Sequence, residues 1–329
     1  RAMGAGLRAL RGLGGGVDGC TWALPFAVQG CGVQGVPGGA VTLDASQSSQ
    51  FVSALLLAGA RYERGVTVHH DGKPVPSQPH IEMTVATLRA AGVVVDDTEA
   101  NTWRVEPGPI NGLDVVVEPD LSNAGPFLAA ALVAGGTVLV PDWPRQTTQA
   151  GDLLREILGA MGAHVEWSRS GLRVTSDGVV QGIDVDLHEA SELTPTVAAL
   201  AALAVSPSWI RGVDHIRGHE TDRLAALDTE LTAMGADVVQ TDDGLRIQPA
   251  PLQGRLFHTY HDHRMATAGA ILGLRVPDVI VENVDTTAKT LPDFTGRWAA
   301  LLAGRLDRCL LYTSPSPRDR TRSRMPSSA

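Results

Sequence analysis

Cysteine is nearly absent from this sequence: Cys20, Cys31 and Cys309 are all that 329 residues contain. An odd, scattered trio excludes a disulfide scaffold and offers no zinc-type pairing, so a reduced, cytoplasmic setting is expected. Aromatics are scarce at 4%, yet apolar residues reach 43%. That Ala-, Val- and Leu-rich profile is globular and too apolar for a disordered chain. Positive charge is also in deficit, with a net charge of −9, which excludes a broad electrostatic grip on nucleic acid. Such a protein still binds an anionic metabolite where a few Arg and Lys converge. No apolar run reaches the roughly 18 residues of a membrane span. The candidates, Phe51 to Ala60 and Phe127 to Val140, are short, and Gly135-Gly136 breaks the second.

Neither a signal-peptide pattern nor a Met opens the chain, and the start at Arg1 is read as a cut edge. The other end, Asp307 to Ala329, carries five Arg against two Asp and no apolar periodicity. It resembles translated adapter or vector read-through and is expected to be a disordered, non-native tail. Without its +3 the body stands at −12.

What is present is a repeat. A helix ending in a Gly turn and followed by a strand recurs at Gly14-Gly-Gly-Val17, Gly92-Val-Val-Val95, Gly162-Ala-His-Val165 and Gly235-Ala-Asp-Val238, in steps of 78, 70 and 73 residues. A polar start running into an Ala/Leu-rich helix recurs near Ser49, Ser122, Ser191 and His263, in steps of 73, 69 and 72. Two independent signals sharing one period imply a duplicated unit.

The two helix classes differ in kind. Leu224, Leu227, Leu231 and Met234 share one face, as do Leu154, Ile157, Leu158 and Met161, which predicts amphipathic surface helices. The runs from Phe51 and Phe127 are apolar nearly all round and are expected at the centre of a domain. Strands are read at Thr137–Val140 and Val279–Val281. The buried helices open on polar residues: Ser48-Ser49-Gln50, Ser122-Asn123, Ser191-Glu192 and His261-Asp262-His263-Arg264. Each start alone is an ordinary cap. Four of them, converging about a pseudo-symmetry axis with Arg and Lys nearby, make an anion site.

The runs His219-Glu-Thr-Asp-Arg-Leu224, His261-Asp-His-Arg-Met-Ala266, Thr287-Ala-Lys-Thr290 and Asp44-Ala-Ser-Gln-Ser-Ser-Gln-Phe51 resemble, in order and spacing, the signatures of the EPSP synthases. The likeness covers residues 1 to about 306. It implies an α/β (α+β) fold of two lobes, an inside-out α/β barrel of repeated βαβαββ units with the site in the cleft. Residues 1–118 would be an incomplete first lobe on the shikimate-phosphate side. Residues 119–306 would be the second lobe, with the catalytic carboxylates and the donor-binding arginines, and 307–329 the tail.

The activity so implied is transfer of the enolpyruvyl group of phosphoenolpyruvate to the 5-hydroxyl of shikimate 3-phosphate, with release of phosphate and without metal or organic cofactor. The partners are those two small molecules, with no nucleic acid and no membrane, and a monomer is expected. By the same resemblance Ser48, Ser49 and Ser77 hold the shikimate phosphate, and Gln50 lies between the substrates. Arg223 and Arg264 grip the phosphoenolpyruvate carboxylate, a task suited to guanidinium forks. Lys289 meets the leaving phosphate, and Arg1 is a further phosphate ligand, though Ala2 stands where the family has Pro. Glu192, where many members have Asp, orients or deprotonates the 5-hydroxyl, and Glu220 moves a proton at the methylene carbon. Two carboxylates with different tasks should have separated pKa values. For Asp222 the plain reading is a first-turn carboxylate favoured by the helix dipole.

There are departures. His219 stands where Lys is common, His215 where Asn is common and His80 where Tyr is often found. All three can still hydrogen-bond to the acceptor, and His for Lys makes phosphate binding more pH-dependent. A metal site built from His215, His219, Glu220, His261 and His263 is a rival, but the spacing is not HExxH and Gly218 interrupts the pair. An upstream Lys-Ser, a nearby Arg and an Asn/Gly helix start of the family have no counterpart after Arg1, so the chain by itself is expected to be inactive and marginally stable. UDP-N-acetylglucosamine 1-carboxyvinyltransferase, which shares fold and donor, is the enzyme alternative. A non-catalytic ligand-binding fragment is the other, and it has no need of both carboxylates.

Overall fold

The computed structural model describes residues 3–19, 24–32 and 35–304. Arg1, Cys20, Cys309 and the segment 307–329 lie outside the described residues. The chain opens with α1 (Gly4–Gly12) and an antiparallel pair, β1 (Gly16–Asp18) with β2 (Ala27–Gln29). A complete unit follows: β3 (Gly39–Leu43), α2 (Gln50–Gly59), β4 (Val66–His70), α3 (Pro79–Ala90), β5 (Val95–Asp96) and β6 (Thr102–Val105). Its sheet runs β3-β4-β6-β5, with β3 parallel to β4 and the other pairs antiparallel.

The next unit has α4 (Leu121–Ala134), β7 (Gly136–Val140), α5 (Leu154–Ala160), β8 (His164–Ser168) and β9 (Gly171–Ser176), in an antiparallel sheet ordered β7-β9-β8. Residues 108–120 form neither helix nor strand and leave Val115, Val116 and Val117 exposed. A second complete unit is β10 (Asp184–Asp186), α6 (Thr194–Ala202), β11 (Ser208–Arg211), α7 (Arg223–Ala233), β12 (Asp237–Gln240) and β13 (Leu245–Gln248). Its order, β10-β11-β13-β12, reproduces the first sheet strand for strand. Last come β14 (Leu256–Phe257), α8 (His263–Leu272), the parallel β15 (Ile280–Val281) and α9 (Phe294–Leu302).

The βαβαββ order is therefore physical, and the period read from the sequence marks equivalent points in it. The turn glycines 14, 92, 162 and 235 all take positive φ, from 81° to 106°, a backbone state that side chains with a Cβ resist. Each ends an amphipathic helix whose apolar stripe faces inward. Leu154, Ile157, Leu158 and Met161 are buried on and just beyond α5, and Leu224, Leu227, Leu231 and Met234 on and just beyond α7.

The other helix class forms the centre of the second half. All nine residues of α6 are buried, as are nine of the ten in α8 and twelve of the fourteen in α4, and the three pack on one another. The expectation of all-round burial fails for α2, where Leu57 is exposed. Its neighbours among the helices are the amphipathic α1 and α3, so only the face with Val52, Leu55 and Leu56 is covered. Buried apolar residues accordingly form one cluster from Ala9 to Val105 and another from Leu121 to Val276. A third, smaller cluster seats α9: Phe127 of α4 meets Phe294 and Trp298 edge-on, with ring centroids 5.9 and 5.7 Å away. Each such pair contributes about 0.5–1.5 kcal/mol beyond area burial, and together they anchor the chain just after the 3-10 turn Val284–Lys289.

Candidate active site

Aspartate caps decide where three helices begin: α7 and α8 start at one cleft, and α4 starts behind its lining. Asp120 accepts from the Asn123 N–H of α4 (2.9 Å), Asp222 from the Ala225 N–H of α7 (3.0 Å) and Asp262 from the Arg264 N–H of α8 (2.8 Å). A capping aspartate satisfies an otherwise orphaned donor and sits at the positive end of the dipole. Ser48, Ser49 and Gln50 stand at the start of α2, where Ser49 is buried and the Ser48 Oγ accepts from the Gln50 N–H at 3.2 Å. Ser77 has φ +52°, a left-handed conformation costly for serine. It is pinned across the cleft: its N–H donates to the His188 carbonyl (3.1 Å), and its hydroxyl lies 3.4 Å from the Ser191 Oγ.

A cavity of about 150 Å³ results, lined from the first half by Ser48, Ser49, Gln50, Ser77 and His80. From the second half Glu192, His215, His219, Glu220, Arg223 and Arg264 line it. Lys289 reaches the same cluster by donating from Nζ to Glu220 Oε1 at 2.6 Å. Eleven of the thirteen residues expected at the site thus line one cavity, Lys289 joins through Glu220, and Arg1 lies outside the described residues. A wider space of about 500 Å³ adjoins, walled by Asp44, Lys73 and Asp214 and sharing Ser48, His215 and His219.

Protein partners fix the two arginines. Arg223, 3% exposed, gives Nε to Asp262 Oδ2 (2.7 Å) and Nη2 to Asp262 Oδ1 (3.2 Å), and Asp262 is wholly buried. Nη2 also reaches Glu220 Oε2 at 3.0 Å, and Nη1 donates to His219 Nδ1 at 3.2 Å. Arg264 is buried, with Nη1 donating to the Ser122 carbonyl at 2.9 Å. Burial lowers its pKa from the usual guanidinium value, opposed by Glu192 and Asp120. Glu192 occupies the 3-10 turn Ser191–Leu193, and its Oε1 accepts from the Ser122 hydroxyl at 3.3 Å. Its buried Oε2 has no hydrogen-bond partner among the described residues.

Glu220 is strongly acidic. Burial alone would raise its pKa, but the Lys289 hydrogen bond and the Arg223 charge outweigh that and take it to about 2. Two histidines shift the same way for a different reason. Burial, then the neighbouring His188, lowers His215 to about 4 against the pull of Asp214. Burial, then Arg264, lowers His263 to about 4 against Asp262. Both are neutral in the fold and take up protons near 6.5 when unfolded. The unfolded state therefore binds more protons between those values, and stability falls as pH drops from about 6.5 towards 4. The expected slope is about 1.4 kcal/mol per pH unit for each histidine. Urea midpoints measured from pH 7 to 4.5 should show it, with a shallower slope in His215→Asn.

Sequence reasoning passed over several residues. Asp262 lay inside a quoted motif, but its grip on Arg223 is visible only once α7 and α8 are adjacent. Asn123, whose amide donates to the Thr290 carbonyl at 3.3 Å, ties α4 to the residue after Lys289. His70 joins the two serine-bearing loops: Nδ1 accepts from the Ala45 N–H (3.1 Å) and Nε2 donates to the Lys73 carbonyl (2.7 Å). Among the described residues no three His, Cys, Asp or Glu side chains gather as a metal would require, and no helix is long and apolar enough to cross a membrane.

Comparison with known proteins agrees with this geometry. Residues 1–298 match the EPSP synthase (3-phosphoshikimate 1-carboxyvinyltransferase) family. A 3-phosphoshikimate 1-carboxyvinyltransferase of Kocuria rhizophila is 58% identical over 304 residues, 92% of this chain and 68% of the relative. Two structures of EPSP synthase from Acinetobacter baumannii superpose over 93% of this chain, with TM-scores of 0.71 and 0.70 at 24% and 26% identity. They are covered over 71% and 70% of their own length. With its repeated βαβαββ units and a cleft of arginines and paired carboxylates, the chain belongs to the EPSP synthase family.

Proposed function

We propose that the cleft transfers the enolpyruvyl group of phosphoenolpyruvate to the 5-hydroxyl of shikimate 3-phosphate, a step of the shikimate pathway to the aromatic amino acids. The observation that carries this reading is the convergence of two carboxylates, Glu192 and Glu220, on the cavity that Arg223 and Arg264 line and Lys289 joins. A site for anion binding alone has no use for the carboxylates, which weaken it. The 68% coverage at 58% identity to a 3-phosphoshikimate 1-carboxyvinyltransferase favours this acceptor over UDP-N-acetylglucosamine.

In the proposed arrangement the lobes divide as 1–118 and 119–306. Shikimate 3-phosphate takes the side of Ser48, Ser49 and Ser77, with Gln50, His215 and His219 around it. Phosphoenolpyruvate places its carboxylate on Arg223 and Arg264 and its phosphate towards Lys289. Glu192 takes the 5-hydroxyl proton as that oxygen bonds to C2 of phosphoenolpyruvate, and Glu220 delivers a proton to C3, turning the methylene into a methyl. The C2–O bond to phosphate then breaks, the methyl at C3 gives up one of its three protons to Glu220, and phosphate leaves beside Lys289 with the proton that Glu192 had taken. Fixed cations facing developing negative charge lower the barrier without reorganising. The enzyme is proposed to act as a cytoplasmic monomer, with neither membrane nor nucleic acid as partner.

Calorimetry on the complete gene product tests the acceptor. Shikimate 3-phosphate alone should bind with measurable heat, and Ser77→Ala should weaken it about 10-fold, the worth of one hydrogen bond to a charged group. Heat with UDP-N-acetylglucosamine and none with shikimate 3-phosphate would favour the other transferase.

A further inference from the structure

The transfer proposed for the cleft uses side chains that face the cavity. Behind them, the start of α4 carries a residue that touches both halves of the chemistry. Ser122 is the second residue of the helix. Its hydroxyl donates to Glu192 Oε1 at 3.3 Å, and its carbonyl accepts from Arg264 Nη1 at 2.9 Å. The backbone there is held by Asp120, which accepts from the Asn123 N–H and from its amide nitrogen at 2.8 Å. Ser122 itself is not among the cavity-lining residues.

From this geometry we infer that Ser122 is a positioning residue for the transfer: its hydroxyl aims Glu192, while its carbonyl seats Arg264. The proposal rests on the reading of Glu192 as the group that receives the 5-hydroxyl proton. A carboxylate held through one oxygen offers the other in a fixed direction, and Glu192 Oε2 is the buried oxygen left without a partner among the described residues. Glutamate has one more rotatable bond than aspartate, so a glutamate in this place needs such a tether more. The titratable groups that line the cavity with Glu192 are His80 from α3, His263 and Arg264 from α8, Arg223 from α7, Glu220, and His215 and His219 from the turn before α7. None of them makes a hydrogen bond to Glu192 among those described, which leaves Ser122 as its orienting contact.

The two functions separate by mutation because one belongs to the side chain and the other to the backbone. In Ser122→Ala the carbonyl stays, so Arg264 and the KM for phosphoenolpyruvate should be unchanged within about 3-fold. Loss of a hydrogen bond to a charged group should lower kcat by about 10- to 100-fold. Ser122→Thr keeps the hydroxyl and should recover most of the rate.

The measurement is steady-state phosphate release by the complete gene product and both variants, with folding checked by circular dichroism. An S122A enzyme with wild-type kcat overturns the proposal. So does one whose loss lies in the KM for phosphoenolpyruvate, because that marks a general disturbance of α4. If S122A does not fold, the test passes to S122T, and a folded S122T with a rate far below wild type overturns the proposal equally. Failure of the functional reading looks different, since the wild-type enzyme itself would then release no phosphate.

Discussion

Glu220→Gln is expected to lower kcat by about 10²- to 10⁴-fold, the usual worth of a positioned acid–base group, while each KM stays within a few-fold. Glu220 bridges Lys289 at 2.6 Å and Arg223 at 3.0 Å, and those cations hold it near a pKa of about 2. A group that acidic is a poor donor to carbon. In the proposed arrangement phosphoenolpyruvate changes its surroundings, because the substrate's own phosphate and carboxylate take up Lys289 and Arg223. Burial, the opposing influence at this site, then raises the pKa towards a working value. On the proposed function, the donor prepares the acid that protonates it. In heavy water the wild-type enzyme should place deuterium on the product's vinyl carbon, and Glu220→Gln should not within the same time. Unchanged deuterium uptake would assign the proton to another group. The same salt bridges carry a pH signature: with a folded pKa below the unfolded 4.5, their contribution to stability is complete above about 4.5 and is lost as pH falls towards 2.

Asp262→Ala is expected to cost about 3–5 kcal/mol of stability, the penalty for breaking a buried ion pair. Asp262 is wholly buried, Arg223 is 3% exposed, and the two share a pair of hydrogen bonds. Removing the carboxylate strands the guanidinium and also uncaps α8, itself worth about 1 kcal/mol. Asp262→Asn keeps the cap and should cost less, although the arginine charge remains uncompensated. Urea denaturation of the three proteins separates these contributions. Equal stability of all three would show that the pair is not sequestered from water. Because Asp262 anchors Arg223 and begins the helix of Arg264, the alanine variant should also lose phosphoenolpyruvate affinity by more than 10-fold, on the scale of a charged hydrogen bond.

Much of the architecture was legible because it is periodic. The glycines at 14, 92, 162 and 235 marked helix ends that all adopt positive φ, and the starts near Ser49, Ser122, Ser191 and His263 fall at or within one residue of α2, α4, the turn before α6, and α8. Burial of α4, α6 and α8 followed from apolar composition. That of α2 did not, because burial depends on neighbours that composition does not count. Site residues were legible through motifs, and the cavity brings eleven of them together. What stayed hidden was every contact between distant segments, such as Arg223 with Asp262, Ser122 with Glu192, and Ser77 with His188. Those contacts are fixed by how repeats pack, and no local pattern encodes them.

Inorganic phosphate released by the complete gene product tests the central claim most directly, measured with phosphoenolpyruvate and shikimate 3-phosphate together and with each alone. Release is expected only with both present, one phosphate for each enolpyruvyl ether formed, and it should nearly vanish in Glu220→Gln. Tight binding of both substrates without release, or equal release from phosphoenolpyruvate alone, would contradict it.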